Sequence, residues 1–376
     1  MNEGRMKVLE MLQEGKIGVE EAMGLLKQFP EEDAPREERR DSGGGFLSEL
    51  GDTISGAISD AIDASDGVFG GWQHGRKTTK EFVSDPITAD IAAIKLLGKN
   101  GPVEIRGYEG NQVKIEVKYN AKRGDAQVFV REEGGVFELL YDYNALRWLA
   151  VDCLVPNVLV GQIHGESKNS KVELYNIRAE QVALITKNSK IEMGNVNAPQ
   201  IVAKTRNANI EAKNLQTVNL DLQTGNAKID IENVKAKIAR LTTSNAKIAT
   251  ENVDIEQLYL KTSNGNIKLE NMFNEAIDYV DARPEGSQYP PGAAPATERI
   301  IEAQTSNSGI TVNLPADVAV DVQASTSNAG VECKIPNLVL NEFSKNYING
   351  RTFDYDTHPR RLKLSLNTSN AAVKIR

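Results

Sequence analysis

The chain has 376 residues, of which 40% are hydrophobic but only 6% aromatic, so it is long enough to bury a sizeable core, and that core must be mainly aliphatic. A formal net charge of -8 with no dense Lys/Arg stripe argues against nucleic acid as the main partner, because phosphate binding needs a clustered positive field. Two distant cysteines, Cys153 and Cys333, fit reduced thiols in a cytosolic protein rather than a disulfide framework, and three scattered histidines make a metal site an unpromising expectation.

The opening residues, MNEGRMKVLEMLQEGK, carry charge throughout and lack an apolar stretch with a small-residue cleavage site, so they do not read as a secretory signal. Val8, Leu9 and Leu12 mark one apolar stripe, Glu14-Gly15-Lys16 a turn, and Ala22, Leu25, Leu26 and Phe29 a second stripe that stops before Pro30. The spacing predicts a helical hairpin over 1–30, too small to be stable by its own core, followed by a charged, glycine-rich linker over 31–45. Over 46–72, Phe46, Leu47, Leu50, Ile54, Ile58 and Ile62 recur at three- and four-residue spacing and predict an amphipathic helix, with Trp72 after it as an anchor. Its polar face holds Glu49, Asp52, Asp60, Asp63 and Asp66, which anionic lipid repels; docking on a partner, self-association, packing on the rest of the chain and membrane contact are the competing readings, in that order of preference.

From 85 onward the pattern changes. Val103–Ile105, Val113–Val117, Ala126–Val130 and Val136–Tyr141 are strand-like and suggest degenerate entry rungs or a cap. Asparagine then recurs every nineteen residues, at Asn169, Asn188, Asn207, Asn226, Asn245 and Asn264, and a second series with the same period runs through 176, 195, 214, 233, 252 and 271. Between the two series, aliphatic and charged residues alternate as in strands, and the stacking of successive units would align Val172, Ile191, Ile210, Ile229, Ile248 and Ile267 in one buried column. The predicted fold is mainly β: a parallel β-solenoid, a β-helix-like stack of nineteen-residue rungs spanning 85–376, with insertions at 281–300 and 341–361. The asparagines are read as structural, as tight-turn residues that tolerate positive φ and as amide ladders.

The Ser-Asn-Gly-Asn-Ile and Ser-Asn-Ala-Lys-Ile repeats resemble the bacterial putative-adhesin family of β-strand-repeat, or toast-rack, domains over roughly 85–376. The segment Val8-Leu9-Glu10-Met11-Leu12-Gln13-Glu14-Gly15-Lys16-Ile17, with Glu20-Glu21-Ala22 and Leu25-Leu26, resembles the short SHOCT-like helical hairpin that precedes such domains in Gram-positive bacteria, and the pair is similar to Lia-type envelope-stress proteins. One departure is Gly18, where such hairpins commonly carry a Ser or Thr cap. What the resemblance implies is an accessory or sensor protein of the cell-envelope stress response, touching a membrane-anchored regulator.

No chemistry stands out from the repeat. Glu173, Glu192, Glu211 and Asp230 form an acidic series that could be mistaken for paired catalytic carboxylates, but they follow the period where a catalytic pair should break it in one rung. His74, His164 and His358 have no nucleophile or acid at a meaningful spacing, and the glycine runs at 43–45 and 70–71 lack the phosphate-loop pattern. The expectation is therefore a non-catalytic interaction or scaffold protein without metal or cofactor, cytoplasmic and at most peripherally associated with a membrane, binding a protein partner and open to homo-oligomer formation. A self-assembling or surface-adhesion protein is the alternative, and a β-helix carbohydrate-active enzyme the less favoured one. The candidate interaction residues are Leu9, Leu12, Leu25, Leu26, Phe46, Leu50, Ile54, Ile58 and Trp72, with the insertions near Tyr289 and Phe353 ranked beside them.

Overall fold

The computed structural model describes residues 77–124, 126–273 and 298–376. The hairpin, linker and amphipathic helix expected over 1–72 lie outside the described residues, and with them all nine candidate interaction residues. The described part is built from twenty-three strands hydrogen-bonded into one continuous network, with a single 3-10 turn at Tyr143–Ala145. No helix among the described residues is long and apolar enough to cross a membrane.

The nineteen-residue unit folds as one rung of a parallel β-solenoid. In the unit Ile210–Gln223, pairing to the next rung runs through 210–213, 215–217 and 219–223, and skips Asn214 and Val218. Each skip reverses the in–out alternation, so the rung has three short sides around a common core. Ile191, Ile210, Ile229, Ile248 and Ile267 stand in register on the first side, all buried, with Val172 below them. Burial of each such side chain is worth about 1.5–3 kcal/mol, and no rung has a partner for its aliphatic face except the next rung.

The two asparagine series do different work. Asn176, Asn195, Asn214, Asn233, Asn252 and Asn271 take φ between 49° and 57°, the left-handed turn between the first and second sides, which costs most other L residues about 1–2 kcal/mol. The other series closes the turn between rungs, and its side chains form a ladder: Nδ2 of Asn188 donates to Oδ1 of Asn169 at 2.6 Å, and Asn207, Asn226, Asn245 and Asn264 repeat the bond at 2.6–2.7 Å. A threonine series two residues earlier in each rung completes the corner from inside. The buried hydroxyls of Thr186, Thr205, Thr224, Thr243 and Thr262 donate to the carbonyls of Ser170, Ser189, Ala208, Ala227 and Ala246 at 2.9–3.3 Å.

At both ends the spatial order of rungs departs from the chain order. Following the ladder past Asn264, Asn307 donates to Asn264, Asn370 to Asn307, and Asn328 to Asn370. The last segment of the chain, Arg361–Ile375, is thus inserted between the rung of 298–312 and the rung of 319–333. At the other end Asn169 donates to Asn100, so the strands Ile91–Gly98 and Asn100–Tyr108 lie directly beneath the 160–178 rung, while the later strands Val136–Tyr141 and Leu146–Pro156 lie outside them. Beyond these, pairing becomes antiparallel: Lys114–Ala121 and Lys77–Val83 on the first side, Val128–Glu133 on the third. Phe82 meets Phe137 edge-on across the core at 6.2 Å, and Lys80 donates to the Val128 carbonyl at 3.1 Å, which closes this end.

The second insertion is part of the sheet. Leu338–Ser344 and Tyr347–Thr352 form a hairpin, and the second strand pairs antiparallel with Ala319–Thr326. Beside Phe273, the Arg299 guanidinium lies over the ring at 4.6 Å and bonds Asp254 at 2.6 Å, with the Arg299 and Asp254 side chains nearly buried.

The inward and outward assignment of one strand gives a direct test. Ile229→Asp places an unpaired carboxylate in the core and is expected to cost more than about 4 kcal/mol, whereas Asp230→Asn on the outer face should stay within about 0.5 kcal/mol. Similar losses for the two variants in thermal unfolding would contradict the rung geometry.

Candidate interaction surfaces

The outer face of the first side carries the acidic series, and stacking makes it longer than the repeat alone. Glu81, Glu116, Asp152, Glu104, Glu173, Glu192, Glu211 and Asp230 are each in register with the next across consecutive strands. Strands lie about 4.8 Å apart, close enough for bare carboxylates in register to destabilise the stack. Basic residues one step along the same face offset this. Lys171 bridges Glu104 at 3.2 Å and Glu173 at 2.8 Å, Lys190 pairs with Glu192 and bridges to Glu211 at 2.7 Å, and Lys228 pairs with Asp230 and lies 3.9 Å from Glu211. Arg106 holds Glu104, and Lys118 holds Glu116 at 2.6 Å. The Tyr175 hydroxyl donates to Glu192 at 3.2 Å.

Two carboxyls in the column are left in less favourable surroundings. Burial raises the pKa of Glu173; Lys171 opposes this, while the Glu192 carboxyl, with which Glu173 shares a hydrogen bond, adds to it. Glu192 is held low, first by its bond from Lys190. Asp152 is also pushed up by burial; Arg106 and Lys118 oppose the shift, while Glu104 and Glu116 on either side reinforce it, and its Oδ1 is buried without a hydrogen bond. The four carboxylates Glu173, Glu192, Glu211 and Asp230 can be read from the repeat. The other four cannot, because they come from strands that are antiparallel or out of chain order.

The third side is chemically different. Its outer face aligns Gln162, Gln181, Gln200 and Asn219 in one column and His164, Ala183, Val202 and Asp221 in the next. Burial pushes the Asp221 carboxyl up, against the pull of Lys204 and Arg240. His164 Nε2 lies 3.4 Å from Glu166. His358 is elsewhere, in the loop before the strand Arg361–Thr368, with Nδ1 near the Arg360 carbonyl and Nε2 3.2 Å from Asp317. Cys153 is buried and Cys333 half-buried; burial raises both thiol pKa values, away from nucleophilic thiolate. Among the described residues no group of three or more His, Cys, Asp or Glu is placed to hold a metal ion.

Asp152 yields a signed pH prediction. A carboxyl whose pKa is raised on folding weakens the fold while ionised, and this penalty is relieved as pH falls through its folded pKa toward the unfolded value. Asp152→Asn is therefore expected to raise the thermal midpoint at pH 7, with the gain shrinking as the pH is lowered towards about 4. A loss of stability that is the same at both pH values would contradict an unfavourable carboxylate at this position.

The family model described as Toastrack DUF4097 matches residues 91–282, just over half of the chain. Among solved structures, a putative cell adhesion protein from Clostridium sporogenes ATCC 15579 aligns at 11% identity and a TM-score of 0.20, covering 80% of this chain and 99% of that one. A putative adhesin from Parabacteroides distasonis ATCC 8503 aligns at 11% identity and a TM-score of 0.32, covering 80% of this chain and 97% of that one. No curated protein matches. With the nineteen-residue rungs described above and the match over residues 91–282, the chain belongs to the Toastrack DUF4097 family.

Proposed function

We propose that the protein is a non-catalytic scaffold, an accessory or sensor component of the bacterial cell-envelope stress response. In this reading a cytoplasmic solenoid presents its N-terminal segment to a membrane-anchored regulator. The observation that carries the non-catalytic part is that the repeat carboxylates keep their periodic positions and are served by periodic lysines: Lys190 pairs with Glu192 and Lys228 with Asp230, and Glu211, which follows Asn209, is reached by both lysines. Glu173 and Glu192 differ, one pushed up by burial and the other held low by Lys190, but both stand at their repeat positions, where a dedicated hydrolytic pair would break the period. The partner and the stress context come from the resemblance of residues 8–26 to SHOCT-like hairpins and of the whole arrangement to Lia-type proteins. Leu9, Leu12, Leu25 and Leu26 are the residues assigned to partner binding, with Phe46, Leu50, Ile54, Ile58 and Trp72 as a second contact.

The reading separates two sets of variants in a Gram-positive host carrying a cell-envelope stress reporter. Overproduction of the intact chain is expected to shift reporter output, and Leu25→Asp with Leu26→Asp to abolish the shift, while Glu173→Gln with Glu192→Gln leaves it unchanged. Loss of the effect only with the glutamine variants would move function to the acidic column and contradict the proposal.

A further inference from the structure

The two ends of the stack are finished differently. At the N-terminal end of the described stack the sides converge, with Phe82 packed on Phe137 and Lys80 bonded across to the Val128 carbonyl. At the C-terminal end the sides are of unequal length. The last rung runs from Ala319–Thr326 on the third side to Val331–Cys333 on the first, but the third side continues for two more strands, Tyr347–Thr352 and Leu338–Ser344.

Register shows which way the extra side chains point. Ile348, Gly350 and Thr352 lie level with the inward residues of Ala319–Thr326, and Leu338, Leu340 and Phe343 lie level with Thr352, Gly350 and Ile348. Leu338, Leu340 and Phe343 therefore project on the core side of the sheet, past the last rung of the first side; Leu338 packs with Ile335 against the core, while Leu340 and Phe343 are left exposed. Leu340 is 47% and Phe343 67% exposed, and Val331 and Cys333, the inward residues that end the first side, are only half-buried. Of the six large exposed hydrophobic residues among those described, four (Val339, Leu340, Phe343 and Phe353) are gathered at this end.

We propose that this open end of the core is a dimer interface, which a second copy of the chain covers by docking its own open end in a two-fold arrangement. Three features favour a second copy. The exposed cross-section is apolar, so it is self-complementary: what one copy lacks is an aliphatic layer, and the other copy's end supplies one. Charges of both signs surround it, Glu332 and Glu342 among Lys334, Lys345, Lys374 and Arg376, so a two-fold contact can set acid against base. The register shift between Leu340 and Glu342 is a bulge in the outermost strand, which disfavours unlimited edge-to-edge sheet growth and leaves side-chain packing as the mode of contact. At the other end of the described stack Phe82 packs on Phe137 across the core, so the arrangement offers one such open core end per copy and the proposal is a dimer. This inference stands independently of the scaffold role.

Sedimentation velocity of the full chain tests it. The wild type is expected to sediment as a concentration-dependent dimer, and Phe343→Glu and Leu340→Glu each to weaken it by about tenfold or more. Phe129→Glu, at an exposed aromatic of the opposite end, should leave the dimer intact. Thermal unfolding of each variant checks that the rungs remain folded, and the two C-terminal variants give the test two independent chances to survive a folding defect. A monomeric wild type, larger polymers, or a dimer broken by Phe129→Glu and not by the C-terminal variants would overturn the proposal. A monomer whose 338–344 amides are already protected from hydrogen exchange would instead assign the cover to the chain's own remaining residues, and would equally overturn it.

Discussion

The six nineteen-residue rungs at the centre of the stack depend on a backbone turn that most L residues resist. Asn176, Asn195, Asn214, Asn233, Asn252 and Asn271 all hold positive φ, and at that point the alternation of inward and outward side chains is reset so that the second side can face the core. Without the reset, the pattern that buries Ile210 and Ala212 would carry Leu215 to the outside. The side-chain amides then repeat the constraint between rungs, with Asn195 donating to Asn176 and Asn214 to Asn195, both at 2.8 Å. A local dihedral preference thus becomes a global register, and the register determines what aligns with what: isoleucines inside, carboxylates and lysines outside, threonine hydroxyls on the carbonyls of the preceding turn.

That register has a cost on the outer face. Identical rungs put Glu173, Glu192, Glu211 and Asp230 level, and the strands at the N-terminal end extend the column to Glu81. Where a lysine stands two residues before the acid, as Lys190 does before Glu192, it answers that rung's charge and reaches the neighbouring rung as well, which serves Glu211 behind Asn209. Exposed pairs of this kind contribute little individually, and their main effect is to make a strictly periodic surface tolerable.

The middle of the stack was legible from the sequence because its signals are periodic. The nineteen-residue spacing of Asn188 and Asn207, and the isoleucines at 191 and 210 between them, are sufficient to infer parallel stacking. The threonine series at 186, 205, 224, 243 and 262 has the same period and was overlooked; its mark is a hydroxyl residue on the inward parity of a strand, where an aliphatic residue would otherwise be expected. The ends were not legible. Nothing local says that Asn370 sits between Asn307 and Asn328, since that order is decided by long-range pairing of strands that look alike. Likewise Glu116 and Asp152 join the acidic column through antiparallel pairing, which reverses the direction in which a repeat would be sought. The hairpin of 338–352 has the loop-like composition of an excursion, yet it adds two strands and leaves Phe343 exposed.

The dihedral requirement at the corner can be measured at Asn214, which lies within the most regular part of the stack. Chemical denaturation of Asn214→Gly and Asn214→Ala compares two variants that both lose the side-chain ladder, while only alanine also resists positive φ. The account predicts that alanine is less stable than glycine by about 1–2 kcal/mol. Equal stability of the two variants, or a more stable alanine, would contradict the claim that the left-handed turn sets the register of the stack.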